Sequence, residues 1–230
     1  MRLIFLGPPG VGKGTQAKLF QERHGVAHIS TGDILREAIE QGTALGRQAR
    51  SYMDRGDLVP DDVMVGIVAE RLRQPDAQRG FILDGFPRTL PQAESLECVL
   101  QEMGRPVEAV IYFELDEETA VRRSAGRLIC RRCGAIYNVD HRPPRVAGAC
   151  DICGGEVFQR EDDRPEVVRR RHQVYRDQTA PLEAFYRARG ALHRVDGKQG
   201  LEALYRAILA LAKPQVGAPK ASSANPGAAG

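Results

Sequence analysis

Residues 7–15 constrain this chain more than any other segment. They read Gly-Pro-Pro-Gly-Val-Gly-Lys-Gly-Thr and lie between an apolar run at 3–6 and a helix-like segment that begins at Thr15. Glycines allow successive backbone N–H groups to curl around an anion, and the N-terminus of a helix adds partial positive charge. A strand, a glycine-rich turn and a helix in this order therefore predict a loop that cradles the phosphates of a nucleotide.

Two side chains of this phosphate loop, residues 7–15, carry its expected chemistry. Lys13 reaches the outer phosphates, and the hydroxyl of Thr15 faces the Mg²⁺ ion that accompanies them. The general pattern has Ser or Thr directly after the lysine, whereas this chain has Gly14 there and its hydroxyl one residue later. The loop thus departs from the general pattern at one position.

Apolar runs alternate with helical patterns along most of the chain. This alternation predicts an α/β fold, with a parallel five-stranded sheet of the phosphate-loop type flanked by helices. Ligands of such sheets bind at the carboxyl ends of the strands. The strands are predicted at 3–6, 26–29, 81–83, 110–113 and 192–195, and the helices near 15–22, 33–52, 61–73, 91–101, 117–125, 164–188 and 200–212.

Two stretches interrupt the alternation and predict insertions. Residues 30–60 are helical with no strand between them, and residues 126–163 are rich in Cys, Pro and Gly. The C-terminal tail is rich in Ala, Gly, Pro and Ser, which predicts disorder. The predicted domains are a core of 1–29, 61–125 and 164–213, a first insertion at 30–60, a second insertion at 126–163, and a disordered tail at 214–230.

Four of the five cysteines lie in the second insertion as two Cys-x-x-Cys pairs, 16 residues apart. Each pair is followed by a glycine, Gly134 or Gly154, which suits the tight turn of a metal knuckle. This spacing favours a structural zinc site over paired disulfides or unlinked thiols. The fifth cysteine, Cys98, is expected to be a packed small apolar residue. The predicted zinc ligands are Cys130, Cys133, Cys150 and Cys153.

Composition limits the classes of function. A net charge of +3 and an aromatic content of 6% argue against nucleic-acid binding as the main role. No apolar run approaches the roughly 20 residues that span a membrane. Met1 leads directly into a predicted strand rather than into a signal peptide, so a cytoplasmic location is expected.

A second phosphate-handling segment follows the strand predicted at 81–83. That strand ends at Asp84, and an aspartate in this position of phosphate-loop proteins faces the metal ion. A Gly-Phe-Pro turn then leads to Arg88, which it is expected to direct back toward the same place. Residues 84–88 and the phosphate loop are therefore expected to form one site.

Three segments together resemble the adenylate kinase family, in its long form with a zinc-bearing lid. They are the phosphate loop with glycine after its lysine, Ser-Thr-Gly-Asp-Ile-Leu-Arg at 30–36, and Asp-Gly-Phe-Pro-Arg at 84–88. The resemblance runs collinearly from Met1 to about Ala212 and makes Gly14 the family's own form of the loop. It implies reversible, Mg²⁺-dependent phosphoryl transfer from ATP to AMP, giving two ADP, by a monomer without a nucleic-acid or membrane partner.

The resemblance also implies a role for each matching residue. It makes 30–60 a helical AMP-binding insertion and 126–163 a small zinc-ribbon-like lid. It places Asp162 and Asp163 at the lid hinge, where they are expected to orient the arginines of the site when the lid closes. Expected to bind ATP are Gly10, Val11, Gly12, Lys13, Gly14, Thr15, Arg123, Arg127, Ile136, Tyr137 and Gln199. Expected to bind AMP are Thr31, Arg36, Leu58, Val59, Gly85, Phe86, Pro87, Arg88, Gln92, Arg160 and Arg171. Expected in catalysis are Lys13, Arg88, Arg127, Arg160 and Arg171, and beside Mg²⁺ are Thr15 and Asp84.

Each of these residues has an ordinary structural alternative. Arginines commonly form a solvated charged face, Leu58 and Val59 can simply pack a helix end, and Gln92 can be an exposed polar residue of a helix. The segment at 163–166, Asp-Arg-Pro-Glu, is typical of a helix start, which predicts that the Asp163 carboxylate caps that helix.

The expected reaction needs no general base, because the phosphate of AMP is already an anionic nucleophile. Positioning and charge neutralisation then suffice, and closing insertions keep water away from ATP. Two other functions stay open from the sequence. The nearer is a kinase for another monophosphate, such as UMP or GMP. The more distant is a zinc-ribbon nucleic-acid-binding protein with a regulatory nucleotide site.

Overall fold

The structure, a computed structural model, describes residues 1–212 of the chain. These residues form eight strands: β1 (Arg2–Leu6), β2 (Ala27–Ser30), β3 (Phe81–Asp84), β4 (Ala109–Glu114), β5 (Arg127–Cys130), β6 (Ile136–Asn138), β7 (Val157–Phe158) and β8 (Leu192–Asp196). Five parallel strands form a central sheet in the order β2-β3-β1-β4-β8. The predicted α/β fold with a parallel five-stranded sheet is therefore confirmed.

Helices cover both faces of the central sheet. The α-helices of residues 1–212 are α1 (Lys13–His24), α2 (Thr31–Glu40), α3 (Ala44–Arg55), α4 (Asp61–Leu72), α5 (Leu90–Glu102), α6 (Glu117–Ala125), α7 (Pro165–Val174), α8 (Leu182–Ala188) and α9 (Leu201–Ala212). On one face, Phe20 of α1 and Ile208 of α9 are buried with Phe5 of the sheet. On the other face, Val68 of α4 and Leu96 of α5 are buried. Each such side chain contributes about 1.5–3 kcal/mol to folding when fully buried.

The register of the sheet brings three loops together. Asp84 at the end of β3 lies opposite Phe5 of β1 on one side and Ser30 of β2 on the other. Because the strands are parallel, the chain leaves all three at the same edge. The phosphate loop, the start of α2 and residues 84–88 consequently meet there.

The single helix predicted at 33–52 is wrong, because the structure has two helices there. Gly42 adopts a left-handed conformation (φ 65°) after α2, and the hydroxyl of Thr43 then caps α3 by accepting from the N–H of Gly46 at 3.0 Å. An ideal Cβ at Gly46 would lie 2.0 Å from the carbonyl oxygen of Ala38. The glycine thus lets α2 and α3 approach closely.

The predicted helix at 164–188 is also interrupted. Helix α7 ends at Val174, a π-helical turn follows at Tyr175–Thr179, and α8 begins after Pro181. The prediction that Asp163 caps α7 is wrong, since Arg164 precedes the helix and no side chain caps it. The Asp163 carboxylate instead accepts hydrogen bonds from Arg127 of β5.

The second insertion contains a small antiparallel sheet in the order β6-β5-β7. Its buried centre consists of Tyr137, Val157 and two of the cysteines, which is too little for an independent apolar core. The expectation that Cys98 is packed is wrong, because this residue of α5 is exposed. Within residues 1–212, no helix combines the length and apolar character needed to cross a membrane. The predicted tail, 214–230, lies outside the described residues.

Candidate active site

A deep cleft lies at the carboxyl edge of the central sheet, between the phosphate loop, α2, the end of α3, residues 84–88, α7 and the second insertion. Most of the residues singled out by sequence line it. They are Gly10, Gly12, Lys13, Gly14, Thr15, Thr31, Arg36, Leu58, Val59, Asp84, Gly85, Phe86, Pro87, Arg88, Gln92, Arg127, Ile136, Arg160, Asp162 and Arg171.

The phosphate loop is shaped by glycines that no other residue replaces easily. Gly10 has φ 88°, and an ideal Cβ there would lie 2.1 Å from the carbonyl oxygen of Ala120. Gly12 has φ 99° and directly precedes α1. Positive φ at these positions curls the loop so that its N–H groups and the N-terminus of α1 share one anion-binding concavity.

The Lys13 side chain folds back onto the phosphate loop and is fixed by backbone carbonyl groups of that loop. Its Nζ donates to the carbonyl oxygens of Gly7 at 2.6 Å and Pro8 at 2.8 Å. Burial lowers the pKa of Lys13 from 10.5 to about 7, and the charges of Arg88 and Arg171 act in the same direction while Asp84 opposes them. A phosphate group in the loop would supply the anion that this ammonium lacks.

Further positive charge is concentrated in the cleft. Burial, followed by the charge of Arg171, lowers the pKa of Arg88 to about 10. Burial, followed by the charge of Arg36, likewise lowers the pKa of Arg160 to about 10. Such mutual repulsion costs stability in the absence of a ligand, and it favours a ligand with several negative charges.

Asp84 is a largely buried carboxylate of the site, with 14% of its side chain exposed. Its Oδ2 lies 3.1 Å from Nε2 of His28. Burial raises the pKa of Asp84, but the hydrogen bond from His28 and the charges of His28 and Lys13 outweigh it, so that the pKa lies below its ordinary value. An ionised carboxylate next to the phosphate loop and Thr15 suits Mg²⁺, which prefers oxygen ligands and retains water. Sequence reasoning missed His28, whose polar role depends on the pairing of β2 with β3.

Residues 85–88 form a tight arrangement with the start of α2. The carbonyl oxygen of Gly85 accepts from the hydroxyl of Thr31 at 2.8 Å and from Nε of Arg88 at 2.7 Å. Gly85 has φ 78°, which favours glycine. One carbonyl therefore positions two of the residues expected to bind AMP.

Ion pairs join the two insertions across the cleft. Arg160 lies 3.0 Å from Asp33, and Arg36 lies 3.3 Å from Asp162. Lys18 of α1 donates to the carbonyl oxygen of Gly134, which directly follows the first cysteine pair. These contacts cover the cleft. Asp33 and Lys18 were not singled out by sequence, because their partners are distant in the chain.

Asp163 is the buried partner of two cleft arginines. It is 0% exposed, and its two oxygens accept from Nε of Arg127 at 2.8 Å and from its terminal nitrogen at 2.5 Å. Arg171 lies 3.2 Å from the same carboxylate. Burial alone would lower the pKa of Arg127, but Asp163 raises it above its ordinary value. Asp163 itself does not line the cleft; it positions the arginines that do.

Four residues expected at the ATP site are not among those that line the cleft: Val11, Arg123, Tyr137 and Gln199. Arg123 donates to the carbonyl oxygen of Gly197 at 2.8 Å, close to Gln199, and Val11 is buried in the core. The structure does not bring the side chain of Tyr137 to the cleft. It is 3% exposed, its hydroxyl accepts from the N–H of Asp151 at 2.8 Å, and it points toward the cysteines.

The four cysteines of the second insertion fit a zinc ion. Their Sγ atoms all lie within 4.8 Å of one another. Those of Cys130 and Cys153 are 3.5 Å apart, and those of Cys133 and Cys150 are 3.6 Å apart. Tetrahedral zinc with Zn–S distances of about 2.3 Å places its sulfurs about 3.8 Å apart. Four thiolates leave no open coordination position, so such a site is structural.

Known proteins share this combination of fold and site. A model of the adenylate kinase family matches residues 5–191. The adenylate kinase of Archaeoglobus fulgidus is 53% identical over 211 residues, which cover 92% of this chain and 97% of that protein. That of a Geobacter species is 55% identical over 210 residues, covering 91% and 98%. That of Thermosipho melanesiensis is 50% identical over 209 residues, again covering 91% and 98%. By its fold, its cleft and this similarity, the chain belongs to the adenylate kinase family.

Proposed function

We propose that this chain catalyses reversible transfer of the γ-phosphoryl group of ATP to AMP, giving two ADP. ATP would bind with its phosphates in the phosphate loop, beneath the second insertion. AMP would bind between α2, the end of α3 and residues 84–88. The observation that carries the proposal is the convergence of Lys13 with Arg88, Arg127, Arg160 and Arg171 on one cleft.

The reaction follows from positioning and charge. A phosphate oxygen of AMP attacks the γ-phosphorus of ATP, and the bond from that phosphorus to the β–γ bridging oxygen breaks. Because the transferred group carries its charge on its outer oxygens, fixed cations along its path stabilise the transition state. Lys13 would hold the β- and γ-phosphates, and Arg88 would hold the phosphate of AMP. Arg127, Arg160 and Arg171 would surround the group in transit.

Mg²⁺ would neutralise the phosphates of ATP and help to align them. Thr15 and Asp84 are the residues we assign to its surroundings, and Asp84 is kept ionised by its contacts. The zinc assigned to the four cysteines would hold the second insertion as a rigid unit, because that insertion lacks a core of its own.

Exclusion of water is the remaining requirement, since water in the cleft would hydrolyse ATP. The predicted domain division assigns this task to the insertions at 30–60 and 126–163, which would close over AMP and ATP respectively. The ion pairs between Asp33 and Arg160, and between Arg36 and Asp162, support this division. The hinges are proposed near 123–126 and 160–164. A monomeric state and a cytoplasmic location stay predictions from the sequence.

The proposal is tested by mixing the purified protein with Mg²⁺-ATP and one of AMP, GMP, UMP or CMP, and measuring ADP formation. We expect rapid ADP formation with AMP and much slower formation with the other monophosphates. GMP or UMP as the best acceptor would favour a kinase of different specificity. ATP hydrolysis without an acceptor, together with tight DNA binding, would favour the nucleic-acid-binding alternative.

A further inference from the structure

The side chain of Gln92 is held from two sides in the cleft. It is 1% exposed, although it lines the cleft near Leu58 and Val59. Its Nε2 donates to Oδ1 of Asp61 at 2.7 Å, and its Oε1 accepts from the backbone N–H of Arg88 at 2.7 Å. Both ends of the amide are therefore tied to the protein.

Asp61 is itself held in place. It lies in the first turn of α4, and its Oδ2 accepts from the hydroxyl of Thr89 at 2.9 Å. Thr89 also caps α5, because its Oγ1 accepts from the backbone N–H of Gln92 at 3.3 Å. A carboxylate with one oxygen on Thr89 and the other on Gln92 cannot turn away without breaking both hydrogen bonds.

These contacts use half of the hydrogen-bonding capacity of the Gln92 amide. A primary amide carries two N–H donors and an oxygen with two lone pairs. Among residues 1–212, one donor is used by Asp61 and one lone pair by Arg88. A ligand in the cleft therefore meets one free donor and one free acceptor next to each other.

The same contacts fix the order of the free donor and acceptor. A rotation of the amide by 180° would set Oε1 against the carboxylate of Asp61 and Nε2 against the N–H of Arg88. An ionised carboxylate only accepts and a backbone N–H only donates, so neither partner can adapt. The flipped amide would leave buried polar groups mismatched at both ends, which is strongly disfavoured.

Adenine and guanine differ in the groups that such an amide contacts. Adenine carries an amino donor on C6 beside an acceptor at N1, whereas guanine carries an acceptor on C6 beside an N–H donor at N1. When a base presents its C6 group to Oε1 and its N1 to Nε2, adenine would match the observed amide at both positions. Guanine would match only the flipped amide.

We propose that Asp61 is a specificity-determining positioning residue, which locks the Gln92 amide in the orientation that accepts adenine and rejects guanine. The inference rests on the proposed function, because it requires the monophosphate base to bind against Gln92. Asp61 contacts no reacting atom; it acts through Gln92.

The replacement Asp61→Asn tests this role while keeping the shape of the side chain. An asparagine amide can donate or accept, so it removes the mismatch at this end of a flipped Gln92 amide, while the backbone N–H of Arg88 still opposes the flip. We expect the ratio of kcat/KM for GMP to kcat/KM for AMP to rise at least about tenfold. The KM for AMP should rise while kcat with AMP changes little. Asp62→Asn is the matched control, since it removes the same charge from the exposed neighbouring residue and should leave the ratio unchanged. An unchanged ratio in a folded Asp61→Asn protein overturns the proposal.

Binding to the unaltered protein provides a test that needs no variant. Purine riboside monophosphate keeps the N1 acceptor but lacks the amino group, and inosine monophosphate presents the edge of guanine. We expect affinity to fall from AMP to purine riboside monophosphate and again to inosine monophosphate. Inosine monophosphate bound as tightly as AMP overturns the proposal. An unaltered protein that makes no ADP from ATP and AMP contradicts the proposed function, and the inference falls with it.

Discussion

Position 14 faces Asp84: an ideal Cβ on Gly14 would lie 3.2 Å from Oδ2 of that carboxylate. Glycine after Lys13 therefore leaves the Asp84 carboxylate undisturbed, whereas the hydroxyl residue of the general phosphate-loop pattern would press on it. A side chain at position 14 would project into the space beside the carboxylate that we assign to Mg²⁺. Thr15 supplies the hydroxyl instead and lines the same cleft.

The replacement Gly14→Ser should restore the general pattern and impair this enzyme. We expect the rate of ADP formation to fall at least about tenfold, because the new side chain crowds Asp84. Stability should not fall, since a helical glycine is less favourable than other residues by up to about 1 kcal/mol. Gly66→Ser is the control, because Gly66 lies in α4 with nothing near its Cβ position. Full activity of Gly14→Ser would contradict the claim that a side chain at position 14 disturbs Asp84.

Lys13→Met should abolish phosphoryl transfer but stabilise the protein in the absence of nucleotide. The pKa of Lys13 is about 7 in the folded protein against 10.5 ordinarily, so the unfolded chain binds more protons between these values. Below pH 7 the buried positive charge therefore lowers the free energy of unfolding by its full amount. This effect disappears as the pH rises toward 10.5. The stability gain of Lys13→Met should be largest near pH 6 and vanish near pH 10.

Unfolding in urea at several pH values measures this difference. Lys198→Met is the matched control, because Lys198 is exposed and pairs with Asp116 at the surface. Its effect on the free energy of unfolding should be small at every pH. A Lys13→Met protein that is less stable than the unaltered protein at pH 6 would show that the buried ammonium group does not destabilise the fold.

Asp163→Asn should be strongly destabilising, because it leaves the guanidinium of Arg127 without its buried partner. Removal of one member of a buried ion pair costs about 3–5 kcal/mol. The KM for ATP should also rise, since Arg127 and Arg171 lose the carboxylate that positions them. Glu161→Gln removes an exposed charge two residues away and serves as control. Equal urea midpoints for the two variants would argue against the assigned role of Asp163.

Much of the site was predictable because its signals are local. The phosphate loop and the cysteine pairs depend on spacing within short segments. The structure shows the strand, glycine-rich turn and helix of the loop, and it brings the four thiols together. The helix cap predicted at Asp163 was wrong because it was inferred from a local pattern, whereas the resemblance, which had this aspartate orient arginines, agrees with its contact to Arg127, 36 residues earlier. The roles of His28 and Asp61 were missed for the same reason, since each depends on a residue of another element. Tyr137 was assigned by resemblance, which does not report where a side chain points.

Loss of one zinc ligand should lower stability more than it lowers the initial rate. Cys153→Ser is expected to lose bound zinc, measured by metal analysis, and to unfold at a lower temperature, because the second insertion has almost no apolar core. Cys98→Ser replaces an exposed cysteine outside the cluster and should change neither property. A zinc-free protein of normal thermal stability but no activity would assign the metal to the chemistry instead.

The most direct measurement of the central claim uses ADP as the only nucleotide. In the presence of Mg²⁺, an enzyme that transfers a phosphoryl group between two bound nucleotides must convert two ADP into one ATP and one AMP. We predict that the purified protein does so, that the products reach equilibrium, and that Lys13→Met does not. Formation of AMP and inorganic phosphate without ATP, or no reaction at all, would contradict the account.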